Sequence, residues 1–177
     1  MDMKNGLIQV YTGDGKGKTT AAFGLAFRAH GRGFKVGVVQ FMKTWVTGEV
    51  LLAEKLQNFH IKRIDTSPKF TWEMNETELE ELKTEIRKGF LYVVGLVKDN
   101  AFDVLILDEI NHIINQNFVT KEEILELLDA KPQSMELVLT GRNAPEWLME
   151  KADLVTEMKC IKHPFEKGIP ARVGIEN

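Results

Sequence analysis

A glycine-rich segment, TGDGKGKTT at residues 12–20, contains the residue types that bind phosphate groups. Its glycines allow the backbone to turn with the N–H groups pointing inward, which makes an anion-binding nest. A helix that starts there adds unpaired amide donors and the positive end of its dipole. Lys18 can reach the terminal phosphates, and the Thr19 hydroxyl can ligate magnesium. The segment therefore predicts a site for the polyphosphate of a nucleotide, ATP with magnesium.

The spacing of this loop departs from the strict pattern at one position. The strict pattern has a glycine five residues before Gly17, where this sequence has Thr12. A glycine-rich turn without a ligand is the alternative. However, the strand, the loop, the Lys-Thr pair and the apolar helix follow one another in the order that phosphate binding needs. We predict a variant loop in which ATP is bound by Gly13, Asp14, Gly15, Lys16, Gly17, Lys18, Thr19 and Thr20.

Two carboxylates follow the apolar run at residues 104–107. Asp108 and Glu109 stand where the carboxyl end of a buried strand would hold magnesium, directly or through water. A helix cap is the alternative for such a pair when it is considered alone. Another apolar run, at residues 137–139, is followed by Arg142, whose positive charge could balance the negative charge of the phosphates. An ordinary surface arginine after a turn remains the alternative there.

Aromatic residues occur in two polar segments. Phe70 and Trp72 follow Pro68, and Trp45 follows the apolar run at residues 36–41. They could pack beneath their own loops, or they could form an apolar wall for a large flat ligand. Both interpretations stay open from the residues alone.

Short apolar runs alternate with amphipathic stretches along the chain, which predicts an α/β fold with a parallel sheet covered on both faces. Ligands bind beyond the carboxyl ends of the strands in such sheets, where all of the motifs above lie. Asn75 with Glu78, and Thr120 with Glu123, predict helix starts with capping boxes. Strands are predicted at residues 7–11, 36–41, 61–64, 104–107, 137–139 and 154–155, and helices at 21–29 and 51–56 and after each capping box.

Composition restricts the class of protein. The 177 residues, with 44% hydrophobic and 28% charged residues, predict a single globular domain over residues 1–177. A net charge of −3 gives no reason to expect a nucleic-acid partner. Cys160 is the one cysteine, which excludes an intrachain disulfide. No signal peptide or apolar run long enough to cross a membrane is present, so we expect a cytoplasmic protein.

Beyond the phosphate loop, the sequence resembles the P-loop type of ATP:corrinoid adenosyltransferase along nearly its whole length. The irregular loop is itself a trait of that family. The matching segments are YTGDGKGKTT at 11–20, RA at 28–29, Gly31, VQFMK at 39–43, GE at 48–49, FTW at 70–72, LDE at 107–109, LTGR at 139–142, ADLVTEM at 152–158, KHP at 162–164, GI at 168–169 and GIE at 174–176.

The resemblance implies a RecA-like P-loop NTPase fold and a specific reaction. The 5′-deoxyadenosyl group of ATP passes to Co(I) of a reduced corrinoid, and triphosphate is released. It implies that Lys18 and Arg142 bind the triphosphate, that Thr19 and Glu109 hold magnesium with Asp108 nearby, and that the nucleotide lies reversed in the loop. Lys18, Phe70 and Trp72 are the expected catalytic residues, the two aromatic residues by displacing the lower axial ligand of the corrinoid.

The resemblance also implies partners and exposes two departures. A flavodoxin-like protein or reduced flavin is the expected electron donor, and a homodimer is the expected assembly. Some family members carry a longer amino-terminal segment that covers the active site, whereas about five residues precede the first strand here, so we expect other loops or a partner subunit to close the site. Asp14 stands where the family often has asparagine, and a carboxylate near triphosphate is unfavourable unless it faces away or meets a cation.

Three other functions compete with this interpretation. A P-loop ATPase that moves or remodels nucleic acid would use a carboxylate such as Glu109 to position water, but it also needs a basic or aromatic track, which the sequence does not supply. A regulatory module that binds nucleotide without turnover is the second. A kinase is the third, although no site for a phosphate acceptor is evident. The choice among cobalamin, cobinamide and an early diamide as substrate stays open.

Overall fold

A computed structural model describes residues 5–43, 46–64, 69 and 71–176. Six parallel strands form one sheet in the order β3-β2-β4-β5-β1-β6. The strands are β1 (Ile8–Thr12), β2 (Val36–Phe41), β3 (Phe59–Ile64), β4 (Val104–Asp108), β5 (Glu136–Thr140) and β6 (Leu154–Glu157). The helices are α1 (Lys18–His30), α2 (Gly48–Ala53), α3 (Glu76–Lys98), α4 (Ile110–Asn115), α5 (Lys121–Asp129) and α6 (Glu146–Lys151), with 3₁₀ turns at Thr71–Glu73 and Pro164–Lys167.

Side chains that alternate along the central strands build two cores, one on each face of the sheet. Val104 and Ile106 of β4 pack with Phe23 of α1 on one face. Leu105 and Leu107 point to the other face, where they pack with α3, α4 and α5. The prediction of an α/β fold, a parallel sheet with helices on both faces, is confirmed. Because one sheet joins strands from β1 to β6, a single domain over residues 1–177 remains our proposal.

Local signals placed the longer helices correctly. Asn75 accepts a hydrogen bond from the backbone N–H of Glu78, and Thr120 accepts one from Glu123, so both capping boxes are formed. Arg87 of α3 also forms an ion pair with Glu123, 2.6 Å apart. That ion pair and the backbone N–H of Thr120 lower the pKa of Glu123 to about 2.

The sequence did not predict α4 and α6. Each has six residues, too few to show a helical period, and neither has a side-chain cap. The helix predicted at residues 51–56 lies three residues earlier, at Gly48–Ala53, and α1 begins at Lys18, directly after the phosphate loop. None of the helices in the described part of the chain is long and apolar enough to span a membrane.

Because all six strands are parallel, the segments that follow them meet at one edge of the sheet. The glycine-rich loop follows β1, Lys43 follows β2, Glu109 follows β4 and Arg142 follows β5. This carboxyl edge is where ligands bind in open α/β sheets. The predicted chemical motifs are therefore brought to one place.

Two glycines of α3 test how tightly this helix packs on the sheet. A Cβ atom at Gly89 would lie 2.4 Å from Cγ2 of Ile64 in β3, whereas one at Gly95 would meet nothing within 4 Å. We expect Gly89→Ala to lower the free energy of unfolding by about 1–3 kcal/mol through overpacking. Gly95→Ala should raise it by up to about 1 kcal/mol through helix propensity. Urea unfolding followed by circular dichroism measures both, and equal effects would contradict the packing.

Candidate active site

The glycine-rich loop takes its shape from the chain that follows β6. Gly13 and Gly17 have φ angles of 98° and 118°, in the left-handed region that favours glycine. The backbone N–H of Gly15 donates to the carbonyl of Met158, 2.7 Å away. Cβ atoms at Gly13 and Gly15 would lie only 2.4 Å and 2.7 Å from that same carbonyl oxygen. Glycine is therefore required at both positions by the close approach of another backbone.

Lys18 bridges the inside of this loop. Its Nζ donates to the carbonyl oxygens of Gly13 and Gly15, 2.7 Å from each, and the side chain is largely buried. Burial lowers the pKa of Lys18; the charge of Glu109 acts against this, and that of Arg142 adds to it. Glu109 and Arg142 follow β4 and β5, so they belong to the same carboxyl edge of the sheet as the loop that follows β1.

Thr12, which replaces the early glycine of the strict pattern, is the last residue of β1 and is buried. Its hydroxyl accepts a hydrogen bond from the backbone N–H of Ala144, at 3.0 Å. Its carbonyl accepts another from the N–H of Met158, at 2.8 Å. The threonine therefore ties the start of the loop to the segments after β5 and β6, and the nest itself begins at Gly13.

Asp108, at the end of β4, is the centre of a buried hydrogen-bond network. Its Oδ1 accepts from the hydroxyls of Thr19 (2.9 Å) and Thr140 (2.6 Å). Its Oδ2 accepts from the amide of Gln40 (3.0 Å) and the ammonium of Lys43 (2.6 Å). Burial raises the pKa of Asp108, but the charge of Lys43 and these hydrogen bonds outweigh it and hold the pKa below its ordinary value.

Glu109, the residue after Asp108, differs from it in backbone conformation and in contacts. Its backbone has a φ angle of 61°, in the left-handed region that is uncommon for a residue with a side chain. Its N–H donates to the hydroxyl of Thr140, at 3.1 Å, and the side chain is half-buried. The direct contact with Thr19 is made by Asp108, and the expectation that Thr19 and Glu109 hold magnesium with Asp108 nearby stays a prediction.

The donor set at Thr19 and Asp108 fits magnesium. A hydroxyl and a carboxylate are hard oxygen ligands, and magnesium in nucleotide sites is bound by one or two carboxylates together with phosphate oxygens and waters. The Lys43 ammonium, 2.9 Å from Oγ1 of Thr19 and 2.6 Å from Oδ2 of Asp108, already brings a positive charge to both. Among the described residues, no group of three or more His, Cys, Asp and Glu could hold a metal ion.

Arg142 is exposed and is presented by a loop that α4 holds in place. The side-chain amide of Asn111 donates to the carbonyl of Gly141 (2.9 Å), and that of Asn115 donates to the carbonyl of Arg142 (3.3 Å). Gly141 has a φ angle of 139°, and a Cβ there would lie 2.8 Å from Cβ of Asn111. Two asparagines thus fix the backbone on which the predicted phosphate ligand stands.

The remaining loop residues point outward. Asp14, Lys16 and Thr20 are exposed. The Lys16 ammonium lies 3.0 Å from the carboxylate of Glu176 and 3.1 Å from the carbonyl of Ile175, near the end of the chain. The Asp14 side chain is exposed, where solvent reduces the cost of a carboxylate near a phosphate.

The expected aromatic wall is described only in part. Phe70 and Trp45 lie outside the described residues. Trp72 belongs to the 3₁₀ turn Thr71–Glu73, which follows the carboxyl end of β3, and 75% of its surface is exposed. An exposed tryptophan can belong to a surface that contacts a flat ligand.

Sequence reasoning assigned no role to Gln40, Lys43, Thr140 or Asn111. The signal for Gln40 and Thr140 was present, because each is a polar residue in or at the end of an apolar strand. Because successive side chains of a strand point to opposite faces of the sheet, both lie on the same face as Asp108. Lys43 carried no such signal, since it lies beyond the end of β2.

Comparisons with known proteins agree with one another. Residues 4–177 match the family ATP:corrinoid adenosyltransferase BtuR/CobO/CobP. The corrinoid adenosyltransferase of Escherichia coli (strain K12) is 37% identical over 174 residues, 98% of this chain and 86% of that protein. That of a Sinorhizobium species is 41% identical over 175 residues, 98% of this chain and 81% of that protein.

A third relative, the corrinoid adenosyltransferase CobA of Salmonella typhimurium, is 36% identical over 174 residues, 98% of this chain and 86% of that protein. Similarity at this level extends from the phosphate loop to the segment after β6, so it includes every part of the site described above. The chain belongs to the ATP:corrinoid adenosyltransferase family.

Proposed function

We propose that this protein transfers the 5′-deoxyadenosyl group of ATP to the cobalt of a reduced corrinoid, in the biosynthesis of adenosylcobalamin. Co(I) donates an electron pair to C5′ of the ribose, and a cobalt–carbon bond forms. The bond between C5′ and the triphosphate oxygen breaks, its electron pair stays on that oxygen, and cobalt becomes formally Co(III). The observation that carries the proposal is the family match over residues 4–177 in a chain whose phosphate loop and buried Asp108 meet at one edge of the sheet.

This chemistry asks little of a protein acid or base. The nucleophile is a metal centre with no proton to remove, so the protein must position C5′ near cobalt and stabilise charge on the departing triphosphate. We assign the triphosphate to the backbone N–H groups between Gly13 and Thr19 and to Lys18, whose ammonium contacts the carbonyls of that loop. Arg142 is the second cation, because it follows β5 at the same edge of the sheet as the loop.

We assign magnesium to Thr19 and Asp108, with Glu109 next to them at the end of β4. A magnesium ion bound there would offset negative charge on the leaving triphosphate. The part-buried contact between the Thr19 hydroxyl and Asp108 supports this choice of ligands, since it holds two hard oxygens where the phosphate loop joins α1.

The corrinoid would lie against Phe70 and Trp72. The resemblance assigns these aromatic rings to the lower face of the corrin, where they displace the lower axial ligand and make Co(II) easier to reduce. The 75% exposure of Trp72 supports a role in contacting a ligand. A homodimer, a flavodoxin-like or reduced-flavin electron donor, and a cytoplasmic location remain predictions that complete this proposal.

The reaction class is tested by incubating the protein with Mg-ATP and chemically reduced cobalamin. We expect the absorbance change that accompanies formation of adenosylcobalamin, with one triphosphate released for each cobalt alkylated. ADP or phosphate as the product, without adenosylcobalamin, would show a P-loop ATPase instead. ATP binding without turnover would show a regulatory module.

Lys18→Met should lower kcat/KM for ATP by roughly 10²–10³-fold, because a donor that stabilises the leaving group is lost. Lys16→Met in the same loop is the matched control. Its side chain is exposed and forms a solvent-screened ion pair with Glu176, so we expect a loss of less than about tenfold. Steady-state kinetics at saturating Co(I) corrinoid measure both variants, and equal losses would refute the assignment of Lys18.

Phe70→Ala and Trp72→Ala should cripple adenosylation that starts from Co(II) with a reductase while largely sparing ATP binding. The activity should recover when the corrinoid is supplied already reduced to Co(I), because the aromatic wall assists the reduction. Phe165→Ala removes another aromatic side chain, 74% exposed, and is the control. Full activity of both variants in the reductase assay would exclude this role.

A further inference from the structure

Lys43 lies two residues after the end of β2, on neither the phosphate loop nor the acidic strand. Its Nζ is 2.9 Å from Oγ1 of Thr19 and 2.6 Å from Oδ2 of Asp108, the two groups that would hold a divalent cation. We propose that Lys43 is a resident cation: its ammonium occupies the divalent-cation position in the nucleotide-free protein and keeps free metal ions out until a nucleotide arrives.

The argument starts from the charge of Asp108. Its side chain is fully buried, and a buried carboxylate needs a cation or a set of good donors. Gln40 and the two threonine hydroxyls are neutral donors. The Lys43 side chain, 25% exposed, supplies the positive charge from the solvent side. The ammonium group therefore provides the charge balance for Asp108 that a metal ion would also provide.

A divalent ion and this ammonium cannot use the same oxygens at once. A metal ion that binds without nucleotide must displace Lys43 from Asp108, so its apparent affinity is the intrinsic affinity multiplied by the fraction of molecules in which the lysine is displaced. A nucleotide changes this balance, because its phosphates offer Lys43 another anion and offer the metal further oxygens. The inference rests on the proposed triphosphate and magnesium site for the identity of the displacing ligands.

The test uses Mn²⁺ as the probe and no nucleotide or corrinoid, so its outcome does not depend on whether the enzyme transfers an adenosyl group. Lys43→Gln retains a hydrogen-bond donor for Asp108 and removes the positive charge. We expect it to bind Mn²⁺ at least about tenfold more tightly than the wild type, as measured by the loss of the free Mn²⁺ signal in electron paramagnetic resonance. Equal affinity in the two proteins would overturn the proposal.

Two further variants identify the site of that binding. Lys43→Gln combined with Asp108→Asn should lose the gained Mn²⁺ affinity, since the carboxylate has gone; retained affinity would place the metal elsewhere and overturn the proposal. Lys62→Gln, the same change at an exposed lysine of β3, should bind Mn²⁺ as the wild type does.

Thermal stability gives an independent readout. Lys43→Met leaves the buried carboxylate without its cation, so we expect its melting temperature to fall by roughly 5–10 °C. Millimolar Mn²⁺ should recover most of that fall, while it shifts the wild type little. If Mn²⁺ stabilised both proteins equally, Lys43 would not occupy the position of the metal, and the proposal would be wrong.

Discussion

The buried carboxylate of Asp108 is the constraint on which the carboxyl edge of the sheet depends. It joins Thr19 at the start of α1, Gln40 in β2, Lys43 after β2 and Thr140 at the end of β5. An ionised group without water must be surrounded by donors and a cation, so these elements cannot shift independently of one another. The phosphate loop is consequently fixed at its helical end by the acidic strand, and at its glycine end by the backbone of Met158.

Much of this could be predicted because the information is local. Capping boxes, glycines and apolar runs gave the strands, the long helices and the order of motifs. The alternation of β4 could also have told Asp108 from Glu109, since Val104, Ile106 and Asp108 point to the α1 face, where Thr19 stands. Gln40 and Thr140 follow the same alternation, because their strand neighbours Val38 and Val138 pack on that face. The Thr12 side chain has the same orientation as that of Val10, two residues earlier, which packs on the opposite face of the sheet. Its hydroxyl accordingly accepts a hydrogen bond from Ala144, in the segment after β5.

The remainder of the site depends on contacts between distant parts of the chain. Gly13 and Gly15 must be glycine because Met158 passes over them, about 145 residues later, and no local pattern indicates that approach. Lys43 contacts Asp108 from a position beyond the end of β2. Neither the alternation of side chains along that strand nor the spacing of a motif therefore identifies it. Glu109 has a left-handed backbone, which its place directly after an apolar strand does not indicate, so the sequence could not show how the two neighbouring carboxylates differ in their contacts.

The state of Asp108 also decides what this carboxylate can do in the proposed reaction. A carboxylate that activates water needs a free oxygen and a pKa near the working pH. Both oxygens of Asp108 already accept hydrogen bonds, and Lys43 holds its pKa below the ordinary value, so this group is a poor base. Asp108 is therefore suited to bind a cation and not to take up a proton. That suits a reaction in which a metal nucleophile attacks carbon and the protein acts on the leaving group.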